Sequence, residues 1–290
     1  MSDLGKWAIL DIETTGIDPN YDKIIDIGFL QFEGTKLVQK YSSLVRSDQK
    51  LSKFIEKLTG IKDKDLKNAP AWSKVEPDFQ ELKGHALIAH NSAFEEKFLK
   101  KYLESMPGDD YFYDSMLFLA LLFPQKSTLN LESFLIDLEI KDKEDHRGLA
   151  DSIDLLKVML LSTYINHKDS EFRFFLKDKM SDFDAEDFWF KKFFSLEPHE
   201  LIEIAEQIDY DLMANFDKWK KIKSFEDESF DYDPIDTEFS GKNIQSILSD
   251  EQRLKTFFPA YKFRDAQKEM SLRVGQSFKN KIHSIIQAPT

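Results

Sequence analysis

Residues 7–16 read WAILDIETTG. An apolar run, Trp7 to Leu10, passes into two acids that flank one isoleucine, and Thr14-Thr15-Gly16 then opens a loop. An apolar run this short, bounded by a turn signal, reads as a buried strand. Side chains along a strand alternate between faces, so Asp11 and Glu13 point the same way at the strand's end. Acids that close a buried strand are not ordinary solvated charges, and they make this end of the strand the place to look for chemistry.

Working outward, KIIDIGFLQFE (23–33) alternates loosely and reads as a second strand. Gly34 marks a turn, and KLVQKYSSLV (36–45) reads as a third, so the chain opens with an antiparallel meander. From residue 50 the period changes. LSKFIEKLTGI has helical spacing and stops at Gly60. HALIAH (85–90) is a buried strand that runs into a helix opening near Asn91. YFYD (111–114) is a short strand end, SMLFLALLFP a helix stopped by Pro124, and TLNLESFLIDLEI another helix. The stretch 146–165, HRGLADSIDLLKVMLLSTYI, is long and apolar-periodic. A meander followed by alternating strands and helices predicts an α/β domain of about 165 residues.

Beyond residue 168 the texture shifts to Phe, Trp, Asp, Glu and Lys. Two or three amphipathic helices are expected there, EPHELIEIAEQI the clearest. Phe188, Trp189, Phe190, Phe193 and Phe194 are expected to pack in a core or against a neighbouring domain such as a helicase body, rather than to stack bases. The acidic stretch 227–243 is broken by Pro234 and Gly241 and reads as a linker. A last helix, FRDAQKEMSLRVGQSF, precedes a short strand, KIHSIIQAPT.

The chain has 290 residues, no Cys and a formal net charge of −13. Disulfides and thiolate zinc sites are excluded. No apolar run reaches the length of a membrane span, and the N-terminus has no secretory pattern, so a cytoplasmic protein is expected. Nucleic-acid binding driven by basic surface charge does not fit this composition as a whole. The acids either solvate the surface or hold divalent cations, which then carry the positive charge a phosphate needs.

Asp11 and Glu13 are joined by further acids at element ends: Glu95 at the start of the helix after the fourth strand, and Asp151 at the start of the long helix, five residues after His146. Carboxylates converging in one cleft repel unless cations neutralise them. Oxygen ligands favour Mg²⁺ or Mn²⁺ over zinc, and two such ions are a known clamp for in-line attack on a phosphodiester. A neutral histidine beside the attacking water can take its proton.

Three stretches carry a specific resemblance. LDIETTGIDP resembles the first motif of the DEDD exonucleases, in their DnaQ-like branch. AHNSAFEEKFL resembles the second, His-Asn-x-x-Phe-Asp, and HRGLAD the third, His-x-x-x-x-Asp, which marks the subtype with a catalytic histidine (DEDDh). LTGIKDKDLKNAPAW, YDSMLFLALLFP and TLNLESFLIDLEI are similar to the family's connecting segments, so the likeness spans about residues 5–165. It implies a ribonuclease-H-like fold, a mixed five-stranded sheet flanked by helices, here followed by a mainly helical C-terminal extension. It implies that Asp11, Glu13, Glu95 and Asp151 hold two Mg²⁺ or Mn²⁺ ions, that His146 is the general base and that Glu13 helps hold the attacking water. Thr14, Thr15, Asn91 and Phe94 would hold the terminal nucleotide. The activity implied is 3′→5′ hydrolysis of single-stranded nucleic acid ends, with DNA preferred to RNA.

One position departs from the motif, which has Asp where this chain has Glu95. Glu95 serves in its place, or Glu96 substitutes, or the site is weakened and the domain binds nucleic acid or a partner without cutting. An exoribonuclease of the same fold is a further reading. At the far end, Arg264, Gln267 and Met270, then Ala288-Pro289-Thr290, resemble the start of a superfamily 2 helicase of the DinG-like type. The organisation expected is an exonuclease domain over 1–168, an acidic and aromatic helical extension over 169–235, and a linker with the truncated start of a helicase domain over 236–290.

Overall fold

The computed structural model describes residues 4–102, 112–167, 189–223, 248–257, 262 and 264–280. Five strands form one sheet: β1 (Lys6–Thr14), β2 (Ile24–Glu33), β3 (Lys36–Leu44), β4 (Ala86–Ala89) and β5 (Phe112–Asp114). Their order is β3-β2-β1-β4-β5. β1–β2 and β2–β3 are antiparallel, while β4 and β5 join parallel to β1. This is the ribonuclease-H-like mixed sheet that the sequence predicts.

The pleat separates two cores. Directly paired residues share a face, so Trp7 and Phe32, Ile9 and Leu30, Asp11 and Gly28, and Glu13 and Asp26 all lie on one side. The apolar members of that set belong to the larger core, with Leu155, Leu156 and Met159 of the long helix. Ala8, Leu10, Ile27 and Phe29 face the other way, against Val75, Phe79, Phe98 and Leu99. Those residues come from two helices, α3 (Trp72–Gln80) and α4 (Ala93–Tyr102). The short helices α1 (Lys53–Thr59) and α2 (Asp63–Lys67) close a third cluster in which Ile61 and Leu66 meet Ile25 and Leu44. Gly60 ends α1 with φ of 71°, a left-handed cap that glycine adopts without a Cβ penalty.

After β5 come α5 (Ser115–Leu122), α6 (Leu131–Asp137) and α7 (Gly148–Asn166). Asp114 and Asn130 cap α5 and α6 with their side chains. α7 is buried almost all round, because the sheet covers one side and the extension the other. The extension supplies α8 (Trp189–Phe194), α9 (Pro198–Glu206) and α10 (Leu212–Lys223).

The aromatic run resolves as core. Trp189, Phe190, Phe193 and Phe194 are buried. Trp7 stacks on Phe32 at 4.1 Å and meets Trp189 at 5.0 Å, and Phe118 stacks on Phe190 at 4.8 Å. The indole N–H of Trp189 donates to Leu4 O at 3.2 Å. These rings therefore pack against the α/β domain itself. Phe188 lies outside the described residues, as do the 227–243 stretch and the strand expected at the C-terminal end.

Residues Met1–Asp227 form one compact unit and Glu228–Thr290 a second. In the second, α11 (Glu251–Phe257) and α12 (Asp265–Asn280) are described, and α12 is the helix expected over FRDAQKEMSLRVGQSF. None of the described helices is long and apolar enough to cross a membrane.

Candidate active site

The site sits at the C-terminal end of β1. A backbone approach brings its parts together. Gly28 on β2 faces the first turn of α7 so closely that a Cβ there would stand 1.9 Å from Leu149 N. A Cβ on Gly148 would stand 2.5 Å from Gly28 N and 2.9 Å from Asp11 O. Two glycines in register thus let α7 begin against the strand pair, and Asp151, in its first turn, arrives beside the acids of β1.

Glu13, His146 and Asp151 each offer a ligand atom within 4.8 Å of the others. Asp151 is buried and fixed by the backbone before it. Arg147 N donates to Oδ2 at 2.8 Å and Asp145 N to Oδ1 at 3.3 Å. His146 precedes this turn in a left-handed conformation, φ 53°, which is costly for a residue with a Cβ and is held only by its surroundings. Part of that hold is visible. Arg147 Nε donates to Asp26 Oδ2 at 2.6 Å, and Asp26, itself buried, receives Ile27 N on its other oxygen at 3.1 Å.

Asp11 and Glu95 stand outside the Glu13–His146–Asp151 group but inside its field. Burial holds the Asp11 carboxyl well above the usual range, with Glu13, Glu95, Asp151 and Glu144 adding repulsion. Burial also pushes Glu13 to about 8, helped by Asp151, Asp26 and Glu144 and opposed by Arg147. Glu95 rises to about 8, first through burial and then through Asp114 and Glu13. Asp151 rises to about 7 through burial and Glu144, against the pull of the Arg147 N–H and of His146. Glu95 is 3% exposed and its Oε2 has no hydrogen-bond partner. A buried carboxylate oxygen without a partner, among acids that repel one another, fits a site made for cations. The carboxylates offer oxygen donors, which suit Mg²⁺ or Mn²⁺.

The strand-to-helix join places the remaining residues. Asn91 is exposed with φ 67°, and its N–H donates to Asp114 Oδ1 at 3.1 Å. The same oxygen caps α5 through Met116 N at 2.9 Å. Phe94 is half-buried and meets Phe98 at 5.0 Å. Glu96 pairs with Lys100 at 2.6 Å, one helical turn on, and takes no part in the group. His90 ends the strand with its Nδ1 2.9 Å from the Ser115 hydroxyl. The loop after β1 is pinned by Asp22, whose carboxylate receives Thr15 Oγ1 at 3.1 Å and Asp18 N at 2.9 Å. Thr14 follows an irregularity in the β1–β2 register and donates to Gly16 O.

Sequence reasoning missed Asp26, Arg147 and Glu144. Asp26 had a signal, as a lone acid inside the apolar run IIDIG. Arg147 had adjacency to His146. Glu144 lies 4.0 Å from His146 Nδ1 and gave no pattern to find.

A family model described as Exonuclease (RNase_T) matches residues 8–159. The PolC-type DNA polymerase III of Thermotoga maritima is 32% identical over 160 residues, 53% of this chain and 12% of its own. The 3′-5′ exonuclease DinG of Bacillus subtilis is 24% identical over 298 residues, 98% of this chain and 30% of its own. This chain therefore spans less than a third of either relative. Among solved structures, the nuclease domain of 3′hExo, described as a DEDDh family member bound to rAMP, covers 53% of this chain and 88% of its own, at 21% identity and a TM-score of 0.45.

Proposed function

The chain belongs to the RNase_T exonuclease family, and from that premise we propose that it removes nucleotides from the 3′ end of single-stranded nucleic acid, DNA in preference to RNA. The observation that carries this reading is the meeting of Glu13, His146 and Asp151 within 4.8 Å at the end of β1, where burial raises Asp11, Glu13 and Asp151.

In this reading Asp11, Glu13, Glu95 and Asp151 hold two Mg²⁺ or Mn²⁺ ions. Bound there, the ions would neutralise the cleft and offset the charge that builds on the phosphate. Glu13 helps to orient the attacking water, and His146 takes its proton, as general bases of this type do. Asn91, Phe94, Thr14 and Thr15 hold the terminal nucleotide. The pinned loop after β1 and the capped join at Asp114 give these residues fixed positions, which favours a productive geometry.

The alignment with the B. subtilis relative runs through α12. That supports reading the chain as an exonuclease domain over 1–168, an extension over 169–235 and the start of a helicase region over 236–290.

The test is a 5′-labelled single strand, given as DNA and as RNA with Mg²⁺ or Mn²⁺. A ladder shortening from the 3′ end is expected, faster for DNA. The Asp11→Ala variant should show none, and His146→Ala should lower kcat by about 10²–10⁴-fold. No shortening of either strand would assign the domain to binding alone.

A further inference from the structure

The chain is acidic, yet residues 46–67 carry seven Lys and Arg against four acids. Two of those acids are already engaged. Asp63 Oδ1 receives Leu51 N at 2.9 Å and Asp65 Oδ2 receives Lys62 N at 3.0 Å. The stretch holds α1, whose inner face is settled by contact. Ile55 packs against the Ile25 cluster, and Thr59 is buried with its hydroxyl on Ile55 O. At 100° per residue, the opposite face carries Lys53, Phe54 and Lys57, all exposed. Phe54 is 70% exposed, unusual for a phenylalanine. Lys50, also exposed, stands just before the helix. Among the described residues no carboxylate pairs with Lys50, Lys53 or Lys57, and Glu56 is the one acid on the helix.

This face lies at the active-site end of the sheet. The cluster under α1 is built on Ile25 and Leu44, and their neighbour Asp26 is paired with Leu44 on one side and with Glu13 on the other. The approach to α1 also touches the loop after β1, where Gln49 Nε2 donates to Asp22 Oδ1 at 3.3 Å, the same oxygen that receives Thr15. The segment that leads into this basic, aromatic face thus touches the loop that would hold the terminal nucleotide.

Building on the exonuclease reading, we propose that the outer face of α1 is a track for the strand upstream of the 3′ terminus, with Lys53 and Lys57 on successive phosphates and Phe54 stacking a base. The pairing of cations with an aromatic is the chemistry by which proteins hold single strands without reading sequence. It also answers a problem the composition poses. A chain with net charge −13 repels nucleic acid at long range, and a local basic face gives the strand one place to lie.

Two measurements on the full chain test this. First, a 5′-fluorescein 20-nucleotide single-stranded DNA is titrated by anisotropy in EDTA, so binding is read without hydrolysis. Lys53→Ala/Lys57→Ala should weaken binding about tenfold and flatten the plot of log K against log salt by about 1.4, since each phosphate contact contributes about 0.7. Phe54→Ala should weaken binding at least about fivefold with the salt slope retained. Second, KM is measured with Mn²⁺ on strands of three to twenty nucleotides. The rise in KM should grow with length. A rise by the same factor at every length, or binding unchanged in all variants, overturns the track and leaves Phe54 to a protein partner. If the parent fails to hydrolyse but binding falls as stated, the track stands and the exonuclease reading fails.

Discussion

Arg147 Nε donates to Asp26 Oδ2 at 2.6 Å, although the two residues are 121 positions apart. Asp26 lies opposite Glu13 across β1 and β2, and Arg147 follows His146 directly, so one ion pair ties the sheet to the turn that carries the histidine. Asp26→Asn keeps the shape and removes the charge. Its expected outcome is a fall in kcat of about tenfold to a hundredfold, the size of a small misplacement of a catalytic group, with KM for a long strand changed less than twofold. Steady-state kinetics on a labelled oligonucleotide check this. A kcat within twofold of the parent would separate the pair from the placing of His146.

The raised carboxyls make stability depend on pH. Glu13 and Glu95 at about 8, and Asp151 at about 7, hold protons in the folded state that the unfolded chain has released. The folded state therefore binds more protons between about pH 4 and pH 8, and stability falls as pH rises through that window. In EDTA, Tm should be roughly 5 °C or more lower at pH 8 than at pH 5.5, given about 2–4 °C per kcal/mol for a unit of this size. Millimolar Mg²⁺ or Mn²⁺ should restore most of the difference at pH 8, because cations bind the ionised cleft and not the unfolded chain. A Tm in EDTA that is flat or rising with pH would contradict the burial of these groups.

Glu95 is where the chain departs from the motif it otherwise matches. Its carboxylate is buried, unpartnered on Oε2 and close enough to Asp11 to raise it. We propose that the cleft is built around the longer side chain. Glu95→Asp withdraws the carboxylate by one methylene and should lower kcat/KM about tenfold while raising the Mg²⁺ concentration needed for half-maximal rate. Glu95→Gln should abolish activity yet raise Tm in EDTA at pH 8, since a repelling charge is gone. A gain in rate for Glu95→Asp would instead mean that the natural glutamate holds the site below its capacity.

Where the sequence is legible, local rules and tertiary structure agree. WAILDIE reads as a strand because its apolar run and its terminal acids follow one pleat, and the five strands, α1 and α4 to α7 appear where alternation, helical spacing, Gly60 and Pro124 put them. The short α2 and α3, the latter carrying Pro77, are not predicted from the sequence. The positions of Asp11, Glu13, Glu95, His146 and Asp151 were readable as element ends. The partners that hold them were not. Asp26 and Arg147 meet only through topology, and no spacing rule connects residues 121 apart. The aromatic run at 189–194 showed that it would be buried, but burial alone does not name the surface it covers. That surface, Trp7 and Phe118, is set by long-range packing.

The approach of α7 to the sheet tests the assembly of the site directly. Gly28→Ala places a methyl where Leu149 N stands, and backbone on both sides leaves no soft neighbour to yield. The expected cost is about 3 kcal/mol in urea unfolding, the upper end for overpacking. The variant that still folds should need more Mn²⁺ for activity, because α7 carries Asp151. Gly34→Ala is the contrast. Its φ is 59° but nothing stands within 4 Å of a Cβ, so it should lose stability through backbone strain while the metal requirement stays put.

The extension is predicted to be part of the folded nuclease unit. Trp189 is 3% exposed, meets Trp7 at 5.0 Å and Phe193 at 5.3 Å, and its indole N–H is bonded to Leu4 O. Farther along, Gln207 bridges the β2–β3 turn, accepting from Leu37 N at 2.7 Å and donating to Thr35 O at 2.9 Å. Trp189→Ala removes a large ring from the middle of this packing and should destabilise residues 1–227 by about 3–5 kcal/mol. Trp189→Phe, which keeps most of the volume and loses the N–H, should cost less than half as much. A chain cut after residue 168 would leave α7 uncovered along Leu160, Leu161 and Tyr164, and should aggregate or expose apolar surface to a hydrophobic dye. If that shorter chain folds with the parent's Tm, the α/β domain is self-sufficient and the extension only decorates it.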